Sequence, residues 1–295
     1  MKQQIMDKLK ICKQTREIAA DALYKTLQKV LKSKKPISEI SFRDLWLSEM
    51  RKSASIFTDG WYMPPPHGIG VLFATDSNVE RLNFKSIRPE EFWPRDDIFL
   101  DLKKGMVLLY AGLVNKKSGI IGDFEITLYF GKNKNIHKQL KVNLDIIHKI
   151  FENAKIGMKL SDVYMYGSKL LKENKLVNII YSVSDSTSTN IGHTVPFSYE
   201  DMTSEEIKIL TSGKKNWNKV CTMISKKRKF VNTVEPLILK PSMAITIEPR
   251  SKVKGKKDSP LISFHAIMVI DKNGGKELLT DFDKIFKLTG MSYMI

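Results

Sequence analysis

Residues 105–131 read GMVLLYAGLVNKKSGIIGDFEITLYFG, two apolar runs of strand length hinged on the polar stretch Asn115–Ser118. Such a pair specifies a β-hairpin. A second unit of the same kind lies near the C-terminus, where SMAITIEPR, PLISFHAIMVID and ELLT are three strand-like pieces in succession. The two regions echo each other. KKGMVLLYAG (103–112) and KPSMAITIEP (240–249) share a Lys, a small residue, a Met and then four mostly apolar residues. Each opens a hairpin preceded by helices, the pattern that an internal duplication would leave.

Helical periodicity fills the intervals. Ile18, Leu23, Leu27, Val30 and Leu31 recur at helical spacing within a lead over 1–55. Ser41 with Asp44 three residues later resembles a capping box for a second helix. After Pro64–Pro66 comes an apolar run of strand length, and residues 77–104, with Pro89 and Pro94, read as loop and turn. Two helices are expected over 143–154 and 161–173, the latter capped by Ser161, followed by short extended segments at NIIYSV and GHTVPF. Residues 201–235 read as a helical insertion that starts at a TSEE capping box and carries a basic run. The order of elements predicts an α+β fold in one domain over 1–295.

With 42% hydrophobic and 27% charged residues the chain has ample material for a core. No stretch approaches a membrane span, and the N-terminus lacks the apolar core of a signal peptide. The two cysteines, Cys12 and Cys221, stand far apart in no metal-ligand spacing, so a cytoplasmic protein with reduced thiols is expected. The net charge of +17 comes mainly from lysine, concentrated at 2–35, 214–229 and 252–257. Apart from Trp217, these runs lack the arginines and aromatics that read or stack on bases, so a solvated lysine surface is favoured over a nucleic-acid footprint.

Ionisable side chains in apolar strands stand out because burial without a partner is costly. Asp123, His193, Glu248 and His67 meet that description. The succession G-D-x-x-x-T, then G-H, then M-x-x-x-I-E-P, then an apolar strand before DKNGGKELLT, resembles the pita-bread metallopeptidases: methionine aminopeptidase, aminopeptidase P, prolidase and creatinase. The resemblance spans about 60–280 and implies a twofold-repeated α+β pita-bread fold. It also implies a cleft in which two Asp, one His and two Glu hold a pair of divalent metals that activate a water. Matched to that pattern, Asp123, His193 and Glu248 occupy ligand positions, and His67 loosely fits a substrate-side catalytic histidine.

Two ligand positions depart. Counting from Gly105, the first Asp falls on Ala111; the last Glu falls on Phe264, with His265 in the next, outward-pointing place. A further family histidine has no counterpart, Glu200 standing nearest. The resemblance therefore implies either no metal or a single Zn, Mn or Co ion on Asp123, His193 and Glu248. Three functions follow from it: a pseudo-peptidase that binds a peptide or protein N-terminus, a mononuclear aminopeptidase, or a metal-free creatinase-like C–N hydrolase with His193 as general acid and base. Two lost acidic ligands favour the first.

Overall fold

A computed structural model describes residues 7–33, 35–179, 182 and 184–295. Helix α1 (Lys8–Ser33) buries Ala19, Leu23, Leu27 and Val30 along one stripe. Helix α2 (Glu39–Met50) starts earlier than expected. Its cap is Ser38, whose hydroxyl accepts the Ser41 N–H at 3.2 Å, so the Ser41–Asp44 pairing does not form. Glu39, now in the first turn and fully buried, accepts the main-chain N–H groups of Phe73 (2.6 Å) and Arg95 (3.0 Å) and the Arg81 guanidinium (2.7 Å).

Strands β1 (Ile69–Thr75), β2 (Gly105–Val114) and β3 (Ile121–Tyr129) form an antiparallel sheet in that order. The predicted β2–β3 hairpin is present, its link organised by the Asn115 side chain accepting from the Lys117 and Ser118 N–H groups. Every residue of β2 and β3 is buried. Residues directly opposite in an antiparallel pair share a face. Gly112 with Asp123, Tyr110 with Glu125 and Leu108 with Thr127 therefore lie on one side. Ala111 with Phe124 and Leu109 with Ile126 lie on the other, where Phe124 meets Trp46 of α2 at a centroid distance of 6.5 Å.

Helix α3 (Lys134–Asn153) begins nine residues before the expected 143, because Asn133 caps it by accepting the Asn135 N–H at 3.0 Å. Helix α4 (Leu160–Glu173) is entered through Lys159, whose N–H donates to Asp162 at 3.2 Å; Ser161 is not the cap. Strand β4 (Leu176–Asn178) follows. In the insertion, α5 (Ser204–Ser212) has the expected reciprocal cap between Thr203 and Glu206, and α6 (Trp217–Lys227) follows. The pair buries Leu210, Val220, Met223 and Ile224 in a second apolar cluster with Trp61, Val195 and Phe197.

The C-terminal hairpin does not extend the first sheet. Strands β5 (Met243–Ile247), β8 (Ala266–Ile270) and β9 (Lys276–Leu279) form one sheet, and β6 (Arg250–Val253) with β7 (Ile262–Ser263) joins β4 in another. The chain changes sheet at Glu248-Pro249, where proline supplies no N–H to continue a ladder, and changes back at Phe264-His265. Among the described residues the strands thus form three three-stranded antiparallel sheets. They are stitched to β3 by the His265 N–H donating to the Glu125 carbonyl (2.9 Å) and by Thr127 Oγ1 donating to the Ser263 carbonyl (2.8 Å). Helix α7 (Asp283–Leu288) closes the core through Phe286, beside Phe282 at its cap. Among the described residues no helix is long and apolar enough to cross a membrane.

Candidate functional site

The sheets meet around a cavity of about 50 Å³, room for a few water molecules. Its walls bring together Asp123, Glu125, His193, Glu248 and His265 with Tyr110, Trp61, Arg228 and Arg250. Asp123 and Glu125 come from alternate positions of β3, and Tyr110 from the same face of β2. Glu248 and Arg250 flank the proline that ends β5.

His193 is set by its neighbours. Gly192 has φ +154°, and a Cβ there would stand 2.0 Å from the Thr246 carbonyl oxygen, so the turn that presents His193 requires glycine. The Thr246 hydroxyl accepts the His193 N–H at 2.9 Å, and the Nδ1 edge of the ring lies 3.0 Å from the Thr194 carbonyl. Its Nε2 then lies 3.4 Å from Asp123 Oδ2 and 3.9 Å from Glu248 Oε1. The other Asp123 oxygen accepts the Trp61 indole N–H at 2.8 Å and the Tyr110 hydroxyl at 3.3 Å. Gly112 makes that convergence feasible, because a Cβ would sit 2.5 Å from the Tyr110 hydroxyl and 2.8 Å from the indole nitrogen.

On the far side His265 Nδ1 lies 3.0 Å from Glu248 Oε2 and its Nε2 lies 3.4 Å from Glu125 Oε1. Arg250 pairs with Glu125 at 3.3 Å, and Arg228 closes the mouth over the Trp61 and Phe230 rings at 4.5 and 4.9 Å. Burial raises the Asp123 carboxyl, but its contact with His193 and the Trp61 N–H outweigh this and hold it below the ordinary carboxylate range. Burial raises Glu125 more than Arg250 lowers it. Tyr110, buried beside Asp123, is pushed well above the usual phenol range and stays a donor.

Asp123, His193 and Glu248 thus line one cavity, whereas His67 does not join them. Its side chain is 39% exposed, lies outside the cavity lining and pairs with Asp59 at 2.8 Å. The placements at Ala111 and Phe264 require correction. Ala111 faces away from the cavity, and the β2 side chain that reaches it is Tyr110. Phe264 points into the core against Phe282 and Phe286, and His265 is the cavity residue. Both shifts are by one residue, which inverts a strand's facing. Glu200 sits beside Lys227 at 3.7 Å, outside the cavity lining. The segment facing His193 is Lys229–Val231, so the 201–228 excursion separates two extended segments that bridge directly, with the Thr194 N–H donating to the Lys229 carbonyl at 2.8 Å.

Two adjacent dications fit these donors poorly, because two guanidiniums, Arg228 and Arg250, share the cavity with its three carboxylates. Among the described residues, no three His, Cys, Asp or Glu side chains close on a common point as metal ligands do.

The buried His265 supplies a pH test. Burial drives its imidazole from 6.5 down to about 4; Glu248 opposes the shift and Arg250 reinforces it. The unfolded chain takes up this proton near pH 6.5, the folded chain only near 4. Stability is therefore whole above 6.5 and is lost as pH falls through that interval, by about 3 kcal/mol at its lower end. Urea unfolding at pH 7 and 4.5 should show a steeper loss for the native protein than for His265→Gln. Parallel losses would contradict the assignment.

Comparison with known proteins places this geometry. The model of metallopeptidase family M24 matches residues 10–273. Among solved structures, methionine aminopeptidase from Rickettsia prowazekii superposes with a TM-score of 0.60 at 16% identity, covering 92% of this chain and 96% of that one. X-Pro aminopeptidase from Thermotoga maritima gives 0.59 at 13% identity over 92% of this chain, and prolidase from Pyrococcus horikoshii gives 0.58 at 15% over 94%. The chain spans 60% of the length of the former and 62% of the latter. No curated protein matches the sequence. The pita-bread architecture expected from the sequence is thus present, and the chain belongs to metallopeptidase family M24.

Proposed function

We propose that this M24 chain is a pseudo-peptidase: it keeps the fold to bind a peptide or protein segment, such as a protein N-terminus, and does not hydrolyse it. One observation carries this reading. The counter-charge for Asp123, Glu125 and Glu248 is built into the chain as Arg228 and Arg250, both lining the same small cavity. A guanidinium among the carboxylates competes directly with a dication, and unlike a metal it activates no water. Asp123 is further engaged by Trp61 and Tyr110, neutral donors that a metal ligand would have to give up on one oxygen.

A second reading has its own support. Asp123 Oδ2, Glu248 Oε2 and His265 Nδ1 are buried without a well-directed hydrogen bond, and a single Zn, Mn or Co ion bound with His193 would engage them. Calorimetric titration with these ions, with an assay on short peptides, separates the two. The pseudo-peptidase reading expects no sub-micromolar binding and no turnover, and it expects Arg228→Gln to strengthen metal binding. Tight binding with turnover abolished in His193→Ala would overturn it. Turnover that depends on His193 but survives chelator would also overturn it, in favour of a metal-free C–N hydrolase.

A further inference from the structure

A groove of about 750 Å³ runs outward from the inner cavity and shares the Trp61, Tyr62 and Arg228 side chains with it. That volume lies within the roughly 300–1,000 Å³ of ordinary ligand sites. We propose that this groove docks an acidic peptide segment, with side-chain carboxylates engaging Arg88 and Arg228 and intervening apolar residues lying against the groove's aromatic wall. The proposal rests on the binding reading above and names the chemistry of the partner.

The argument is one of guanidiniums without an ion-pair partner in a fixed orientation: Arg228 shares the inner cavity with Asp123 and Glu248 but, among the described residues, pairs with neither. Arg88 lies over the Tyr62 ring at 4.1 Å and donates to the Met63 carbonyl at 2.6 Å. Arg228 lies over Trp61 at 4.5 Å, and among the described residues its N–H groups find Ser184 and Ser225 oxygens alone, at 3.2–3.4 Å. Neither guanidinium forms an ion pair with a carboxylate among the described residues. Stacking fixes the plane of each and leaves an edge of N–H donors, the geometry that binds a carboxylate with two hydrogen bonds. Lys85 and Lys226 are exposed at the rim, and Glu91 is the one carboxylate among the groove's described lining residues. The field of the groove therefore attracts acidic segments and repels basic ones.

Arginines among aromatics also suit single-stranded nucleic acid, but base stacking needs open ring faces. Here guanidiniums cover them: Arg88 on Tyr62, Arg228 on Trp61 and Arg250 on Phe84 at 5.4 Å. A peptide needs only the N–H edges and ring rims that remain.

The test is fluorescence anisotropy with a short labelled peptide alternating glutamate and leucine, against a lysine–leucine peptide and an oligouridylate of similar length. Saturable, salt-sensitive binding of the acidic peptide alone is expected. It should weaken about tenfold or more in Arg88→Gln/Arg228→Gln and in Lys85→Glu/Lys226→Glu. The second pair alters only exposed side chains and so keeps the test valid if the first misfolds. Equal or tighter binding of the basic peptide or the oligouridylate, or acidic-peptide binding indifferent to both pairs, overturns the proposal. Peptide integrity is followed by mass spectrometry in the same samples. Groove-dependent binding with cleavage supports the groove and sinks the pseudo-peptidase reading; no binding without cleavage sinks the groove alone.

Discussion

Phe264→Ala should lower the unfolding free energy by about 3–5 kcal/mol, the range for truncating a fully buried phenylalanine. The ring has no exposed surface and packs edge and tilt against Phe282 at 5.5 Å and Phe286 at 6.1 Å. Phe282 in turn meets Phe124 at 5.7 Å, so the cluster joins α7 to the covered face of β3. Neighbours held on a helix and a sheet collapse poorly into a void, which keeps the loss in the upper part of the range. Phe264→Leu retains most of the volume and should cost less than about 1.5 kcal/mol. Urea unfolding reads both. A loss below about 1 kcal/mol for the alanine variant would mean that the ring does not belong to the core. The facing at 264–265 would then be inverted and His265 removed from the cavity.

That same facing shows where sequence reasoning stops. Asp123, His193 and Glu248 were legible because each is an ionisable group in an apolar stretch, and the structure brings their side chains together. Glu125 is equally legible in principle, since a residue two beyond Asp123 on a strand shares its face, although its neighbours in sequence form no motif that singles it out. Ala111 and Phe264 were misplaced for a common reason. Counting from a distant anchor fixes a side chain's facing only if the count is right to the residue. Strand β2 runs unbroken from Gly105, so there the count itself is off by one, whereas near Phe264 the chain breaks alternation at Phe264–His265, where it passes between sheets. The echo misleads similarly: the cavity residue of β2 is Tyr110, four residues after Met106, whereas the cavity residue that follows Met243 is Glu248, five residues on and beyond the end of β5.

Arg228 and Trp61 lay beyond any local pattern. Arg228 ends a helical excursion whose return to His193 is fixed by tertiary packing, and Trp61 reaches Asp123 across sixty-two positions of sequence. Long-range placement of this kind decides the chemistry of the cavity, because it determines which sign of charge faces the carboxylates. The α+β architecture needed only local patterns. The site needed the register.

Arg16→Met should cost about 3 kcal/mol, the lower end for breaking a buried ion pair by removing one partner. The Arg16 side chain is wholly buried under α1, and its guanidinium donates to Asp281 at 2.9 Å, to the Thr280 carbonyl at 2.6 Å and to the Asp123 carbonyl. It also lies over the Phe124 and Phe282 rings at 5.0 and 5.5 Å. Methionine replaces the stem and the ring contacts, so the loss isolates the hydrogen bonds and the charge. Two main-chain carbonyls would be left without their donor. Asp281, 24% exposed, recovers some hydration, which is why the upper end is not expected. Asp281→Asn in the same background should restore part of the loss, giving a coupling of about 1 kcal/mol or more in a double-mutant cycle. Arg16 also holds the backbone of Asp123, so the acidic-peptide anisotropy assay should register its removal if the cavity edge shapes the groove. Urea unfolding that shifts by less than about 1 kcal/mol would mean that the buried guanidinium is not what fastens the helical lead to the strand carrying Asp123.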